Sequence, residues 1–139
     1  MAVETHTIAL DTRGNGDILE ITDQVRDCLT SSQIRDGIAT VFTPSATSGL
    51  TSLEFEPGCV QDLQRLFDEI IPPGRNYAHN QRWGDGNGHS HVRAALLKPS
   101  ITIPFIDKNL TLGTWQSLVL VDFDNRPRSR KLIVQLLGE

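Results

Sequence analysis

The sequence has few cysteines, no long apolar run and no excess of positive charge, and each absence narrows what the chain can be. Cys28 and Cys59 are its only cysteines. They stand outside any metal-binding or redox spacing, which leaves them the role of small buried hydrophobes. No apolar run approaches the roughly 18–20 residues that cross a bilayer, so no membrane partner is expected. The opening residues, MAVETHTIAL, lack the cationic-then-apolar pattern of a secretory signal, and a cytoplasmic location is expected. The net charge of −4 argues against nucleic acid as a partner, because phosphate contacts need clustered Lys and Arg. The one basic cluster, residues 126–131, is too short to overturn that. Internal repeats, linkers and low-complexity tracts are also missing.

What is present is ordinary globular composition: 139 residues, 38% hydrophobic and 22% charged, the size of a single domain over residues 1–139. Residues 5–11 alternate around Ile8 and Leu10 as an opening strand would, and Gly14, Asn15 and Gly16 supply turn chemistry. Thr22 stands where an N-cap would. Val25, Cys28 and Leu29 then recur at helical spacing and predict a helix over 23–31. Strands follow over 38–42 and 50–55, joined by a loop of small hydroxyl residues. That loop is either a plain connection or a nest in which Thr47 and Ser48 offer donors to an anion. Glu54 and Glu56 share a strand face, as a solvated pair or as a cation-binding one. From Pro57 the positions Val60, Leu63, Leu66, Phe67 and Ile70 predict a helix over 57–70. Further strands are predicted over 92–97, 101–106, 110–112, 115–123 and 131–136, divided by tight turns. Two main helices among about eight strands make an α+β domain with an antiparallel, sandwich-like sheet.

The chemistry concentrates in residues 76–100, NYAHNQRWGDGNGHSHVRAALLKPS, which hold His79, His89 and His91. The fourth histidine, His6, is isolated and suits a structural role, since a metal site needs several donors. If a strand begins near residue 89, His89 and His91 project from one face with Cα atoms about 6.5–7 Å apart. Both imidazoles then reach one ion, and the glycine-rich loop 84–88 can fold His79 over the pair. Three nitrogen donors with an open fourth position are the ligand set of a catalytic metal site; the plainer reading is histidines on a wet strand face. Asp85 and Asn87 can orient a ligand histidine or act on bound water. Arg93 falls on the same face in that alternation and pairs with an anionic substrate or with a carboxylate. Trp115 suits core packing, while Arg126, Arg128 and Arg130 are a turn's solvated charges or a phosphate clamp. The glycine spacing matches neither a dinucleotide fingerprint nor a P-loop.

The segment WGDGNGHSHVRAALLKPS, followed by ITIPFID and LGTWQSLVLVDFDNRPR, closely resembles the YjbQ family, described as secondary thiamine-phosphate synthases. The likeness runs nearly the whole length and includes TSLEFEPG. It implies a compact α+β domain assembled as a homotrimer, with a metal-containing pocket at subunit contacts. His79, His89 and His91 would hold a divalent ion, zinc first among the metals that imidazole suits, with Asp85 and Asn87 as catalytic groups. The implied activity is a weak joining of a thiazole phosphate to an activated pyrimidine, with Thr47, Ser48 and Arg93 seating the phosphorylated substrate. A metal-dependent hydrolase and a non-enzymatic metal- or metabolite-binding trimer are the alternatives. The chain departs from the family pattern at three positions. Ser45 stands where many relatives have histidine, Lys98 where a glycine is common, and Asp107-Lys108 replaces an Asp-Gly turn, which predicts another turn type there.

Overall fold

Alternation of apolar and polar residues builds most of the molecule. A computed structural model of the chain describes all 139 residues. In chain order the elements are β1 (Ala2–Thr12), β2 (Asp17–Glu20), α1 (Thr22–Ser31), β3 (Gly37–Phe42), β4 (Ser48–Leu53), α2 (Pro57–Ile70), α3 (Ala78–Trp83), α4 (Gly88–Leu97), β5 (Ser100–Ile106), β6 (Asn109–Leu110), β7 (Ser117–Asp122) and β8 (Arg128–Gly138). Every strand pair is antiparallel. One sheet has the order β1-β8-β3-β5-β6, and a smaller one the order β2-β7-β4. β1 and β8 pair along their full length, from Ala2 opposite Gly138 to Thr12 opposite Arg128.

The inner residues of β8 are Leu132, Val134 and Leu136; with Val41, Ile103 and Phe105 they meet Leu50, Leu118 and Leu120 of the smaller sheet. Ile21 and, on α1, Val25 and Leu29 complete this core. β7 is buried on both sides. Its other face, Val119 and Val121, packs with Phe123, Ile18, Phe67, Ile71 and Ala94 beneath α2 and α4. The layers are therefore large sheet, small sheet and helices. No helix is long and apolar enough to cross a membrane.

The α+β class and the antiparallel sandwich hold, but four helices are present rather than two main ones. Residues 92–97, expected as a strand, form the body of α4. Ala94, Ala95, Leu96 and Leu97 are strong helix formers, and His89, Ser90, Arg93 and Ala94 give it a buried helical face. Thr22 is not the N-cap of α1: Ile21 holds that position without a side-chain bond, and Thr22 Oγ1 accepts the Leu118 N–H at 2.9 Å. Asp107 and Lys108 both adopt positive φ, 49° and 62°, so the turn keeps the two-residue hairpin geometry that Asp-Gly usually makes. Partners offset that strain. The Asp107 N–H donates to Asp36 at 2.9 Å, and the Lys108 ammonium donates to the Ser32 carbonyl.

Candidate functional site

Residues 76–100 fold into two short helices joined at a tight corner, not into a loop and a strand. α3 ends at Gly84, which takes the left-handed conformation at φ 71°. α4 begins at Gly88, whose N–H donates to Asn80 Oδ1 at 2.8 Å. A Cβ on Gly88 would stand 2.5 Å from Tyr77 Cβ, so only glycine lets the two helices close on each other. The corner is held from below, where Asn125 Nδ2 donates to the Asp85 carbonyl at 2.9 Å.

This packing separates the three histidines. Residues two apart on a helix point about 200° from each other, so His89 and His91 do not share the face that a strand would give them. His91 turns toward α3 and meets His79, with ring centroids 4.3 Å apart. His89 turns inward, 5% exposed, beside Tyr77 at 6.3 Å between ring centroids. Its Nδ1 is sealed from solvent and has no hydrogen-bond partner. Burial and then the Arg93 charge hold its pKa below the usual histidine value. No three His, Cys, Asp or Glu side chains of the chain converge to hold a metal ion.

The His79–His91 pair carries its own orienting chain. His79 Nε2 lies 3.0 Å from Asn87 Oδ1 and 3.3 Å from Asp85 Oδ1. Asn87 Nδ2 donates to Asp124 Oδ1 at 3.3 Å, and only an amide NH₂ can face a carboxylate. Asn87 must then present its oxygen to His79, so Nε2 of His79 carries a proton and donates it to Asn87. Burial, followed by the neighbouring His79, pushes the pKa of His91 down, leaving that imidazole neutral at pH 7. The neutral His91 imidazole, beside a His79 oriented by Asn87 and Asp85, can exchange a proton with a ligand or offer a lone pair to a cation.

Three of the expected substrate residues are already committed to the fold. Thr47 Oγ1 donates to Asp124 at 3.2 Å and accepts from Arg130 Nη2 at 2.8 Å. Ser48 Oγ bonds Thr43 Oγ1 at 2.8 Å, and both hydroxyls are buried. Arg93 follows His89 on the inner face of α4, away from His91; its Nε donates to the Ile71 carbonyl at 2.9 Å and its Nη2 to Asp68 at 3.1 Å. Asp85 and Asn87 do lie beside His79.

Sequence reading passed over the buried carboxylates behind the site. Asp122 and Asp124 are 0% and 1% exposed. Asp122 accepts from Thr12 Oγ1 at 2.6 Å and from Arg130 Nε and Nη2 at 2.8 and 2.9 Å. Asp124 accepts from the Asn125 N–H at 2.9 Å, from Asn87 and Thr47, and from Arg128. Burial alone would raise the Asp124 pKa, but those hydrogen bonds and the Arg128 charge outweigh it and hold it low. A signal existed in the alternation: Asp122 is in phase with the inward Leu118 and Leu120, and Arg130 with Leu132, Val134 and Leu136. A charge at a core phase on each of two strands predicts a buried ion pair.

A family model described as UPF0047 protein YjbQ-like matches residues 6–139. A UPF0047 protein of Archaeoglobus fulgidus is 37% identical over 130 residues, covering 94% of this chain and 98% of that protein. One from Methanothermobacter thermautotrophicus is 36% identical over 139 residues, covering 100% and 95%. Among solved structures, a YbjQ-like protein of unknown function from Sulfolobus solfataricus superposes with a TM-score of 0.94 at 31% identity, covering 99% of both chains. A hypothetical protein from Aeropyrum pernix gives 0.91 at 29%, covering 98% of this chain and 99% of that one. The chain belongs to the YjbQ-like UPF0047 family.

Proposed function

We propose that this member of the YjbQ-like family is an enzyme acting on a small phosphorylated metabolite, with His79 and His91 at its centre. One observation carries the reading: the two imidazoles touch at 4.3 Å while Asn87 and Asp85 orient His79. An isolated surface histidine has no such chain of partners behind it. Perturbed, mutually facing titratable groups are a common mark of catalytic sites.

In this reading His91, neutral at pH 7, takes a proton from a substrate group or from water. Asn87 and Asp85 hold His79 in its orientation beside it. The family resemblance suggests condensation of a thiazole phosphate with an activated pyrimidine, in which a pyrophosphate leaving group needs stabilising. A divalent ion belongs to the proposal in a reduced form. His79 and His91 would hold it, zinc or another metal that imidazole suits, and it would supply Lewis-acid chemistry. His89 does not join them and no three such side chains of the chain converge, so a third donor would come from a neighbouring copy in the homotrimer that the resemblance implies.

The test is direct. Purified protein incubated with a thiazole phosphate and a pyrimidine diphosphate should form thiamine phosphate, and His91→Ala should lower the rate at least about 100-fold, the usual worth of a general base. Phosphate-ester hydrolysis by the wild type, with no condensation, would replace the synthase by a hydrolase on the same imidazoles. Elemental analysis after metal supplementation should find about one ion per chain, lost in His79→Ala; less than about a tenth of that would end the metal part of the proposal.

A further inference from the structure

A groove of about 490 Å³ opens where the 43–45 turn faces β1 and the start of β8. Thr43, Ser45, Asp11, Arg128, Arg130 and Lys131 stand on its walls. Arg130 is 8% exposed, and its Nε and Nη2 are bound to Asp122 and Thr47. Its Nη1 has no protein partner, yet the molecule's one sealed unpartnered side-chain atom is His89 Nδ1. Nη1 of Arg130 therefore reaches solvent, and Arg130 is one of the residues that line the groove. Arg128 is arranged alike: Nη1 is held by Asp124, and the side chain is 33% exposed. Both guanidinium groups are thus fixed by buried carboxylates, and both residues line the same groove.

We infer that this groove is the seat of a phosphoryl group. Two guanidinium groups pre-oriented by carboxylates and the Ser45 hydroxyl match the several acceptor oxygens of a phosphate, and Lys131, on the outer face of β8, adds positive charge at the rim. The one carboxylate on the wall, Asp11, is bound to Ser129 Oγ at 2.9 Å. Asp122 and Asp124 cancel much of the arginines' net charge, so the affinity comes from directed N–H donors rather than from a strong field. Weak binding of a free ion is the consequence. Asp124 links the groove to the imidazoles, bonding Arg128 on one side and Asn87 on the other. The assignment rests on the reading above in identifying this phosphoryl group as the substrate's, and it moves the anion seat away from Thr47, Ser48 and Arg93.

The experiment is calorimetric titration of the full chain with inorganic phosphate. Binding on the order of millimolar is expected, and Arg128→Gln should weaken it at least about tenfold by removing charge-assisted donors. Ser45→Asp should do the same by placing a carboxylate in the groove; aspartate can still accept the Thr47 N–H that Ser45 Oγ now accepts at 3.1 Å. Lys131→Glu, on the exposed face of β8, is read instead if either variant melts early. His91→Ala should keep phosphate affinity within about twofold, because its imidazole is not on the groove wall. Loss of phosphate binding in His91→Ala would put the anion at the imidazoles and overturn the assignment. So would a wild type that does not bind phosphate, a Ser45→Asp protein that binds it unchanged, or acetate competing equally well. Phosphate binding without catalysis would sink the proposed enzyme and leave the groove standing.

Discussion

Lys98 ends α4 with φ at +88° and ψ at +153°, a region that side-chain-bearing residues avoid. The neighbours over-determine it: its N–H donates to the Ala94 carbonyl at 2.9 Å, its own carbonyl accepts from Leu50 at 3.0 Å, and Pro99 follows. The strain costs about 1–3 kcal/mol, and glycine gives back about 0.5–1 kcal/mol through unfolded-state entropy. Lys98→Gly should therefore stabilise the protein by about 1 kcal/mol, read as a higher urea midpoint with an unchanged slope. The buried His89 and the half-buried His91 make a second prediction at this scale. His89 and His91 have pKa values below the ordinary 6.5, so as pH falls the unfolded chain takes up their protons first. Stability should be full above about pH 6.5 and decline as pH drops from there toward the folded-state values. Urea titrations at pH 7.5 and 5.5 would show the loss, and His89→Gln should reduce it. Equal stability at both pH values would rule out a buried neutral His89.

At the level of elements, the corner between α3 and α4 decides where the imidazoles go. Gly88→Ala puts a methyl 2.5 Å from Tyr77 Cβ, and relief requires the helices to part. A cost of about 1–3 kcal/mol is expected, together with loss of whatever activity depends on the His79–His91 contact. A melting temperature within a degree of wild type would show that the corner is looser than described. This corner was only partly legible in the sequence. α2 was readable because five apolar positions repeat at one period over 14 residues. α4 was not, because His89, His91 and Val92 mimic strand entry while the decisive inner face mixes Ser90, Arg93 and Ala94, with no apolar stripe. Glu56 is a similar case. As one of a carboxylate pair it looked like surface charge or a cation ligand, yet its side chain caps α2 by accepting the N–H groups of Gly58 and Cys59.

Across the whole molecule, the apolar core between the sheets ends in a polar seam. Arg130 of the large sheet grips Asp122 of the small one, with Thr12 and Thr47 filling the remaining bonds. Removing one partner leaves the other charge buried, so Asp122→Ala should cost about 3–5 kcal/mol. Asp122→Leu combined with Arg130→Met should recover much of that loss, since apolar replacement of a buried pair is often neutral. A double variant as unstable as the single one would mean that the seam holds the sheets in a way packing cannot replace. Asp124 adds an acid limit. Its lowered pKa contributes stability that is present above the ordinary carboxylate value of 3.8 and is lost as pH falls through the folded value. Asp124→Asn should flatten that part of the pH profile.

Periodicity along the chain by itself determined most of the strands, though not β2 or the fate of residues 92–97, together with α1 and α2, the apolar core and the neighbourhood of the chemistry, because alternation and helical repeat are local properties of consecutive residues. The tertiary structure alone decided which imidazole meets which, and which charges are sealed. Those outcomes depend on pairings such as Thr12 with Asp122 and Thr47 with Asp124, 110 and 77 positions apart, whose contacts exist only once the two sheets have closed.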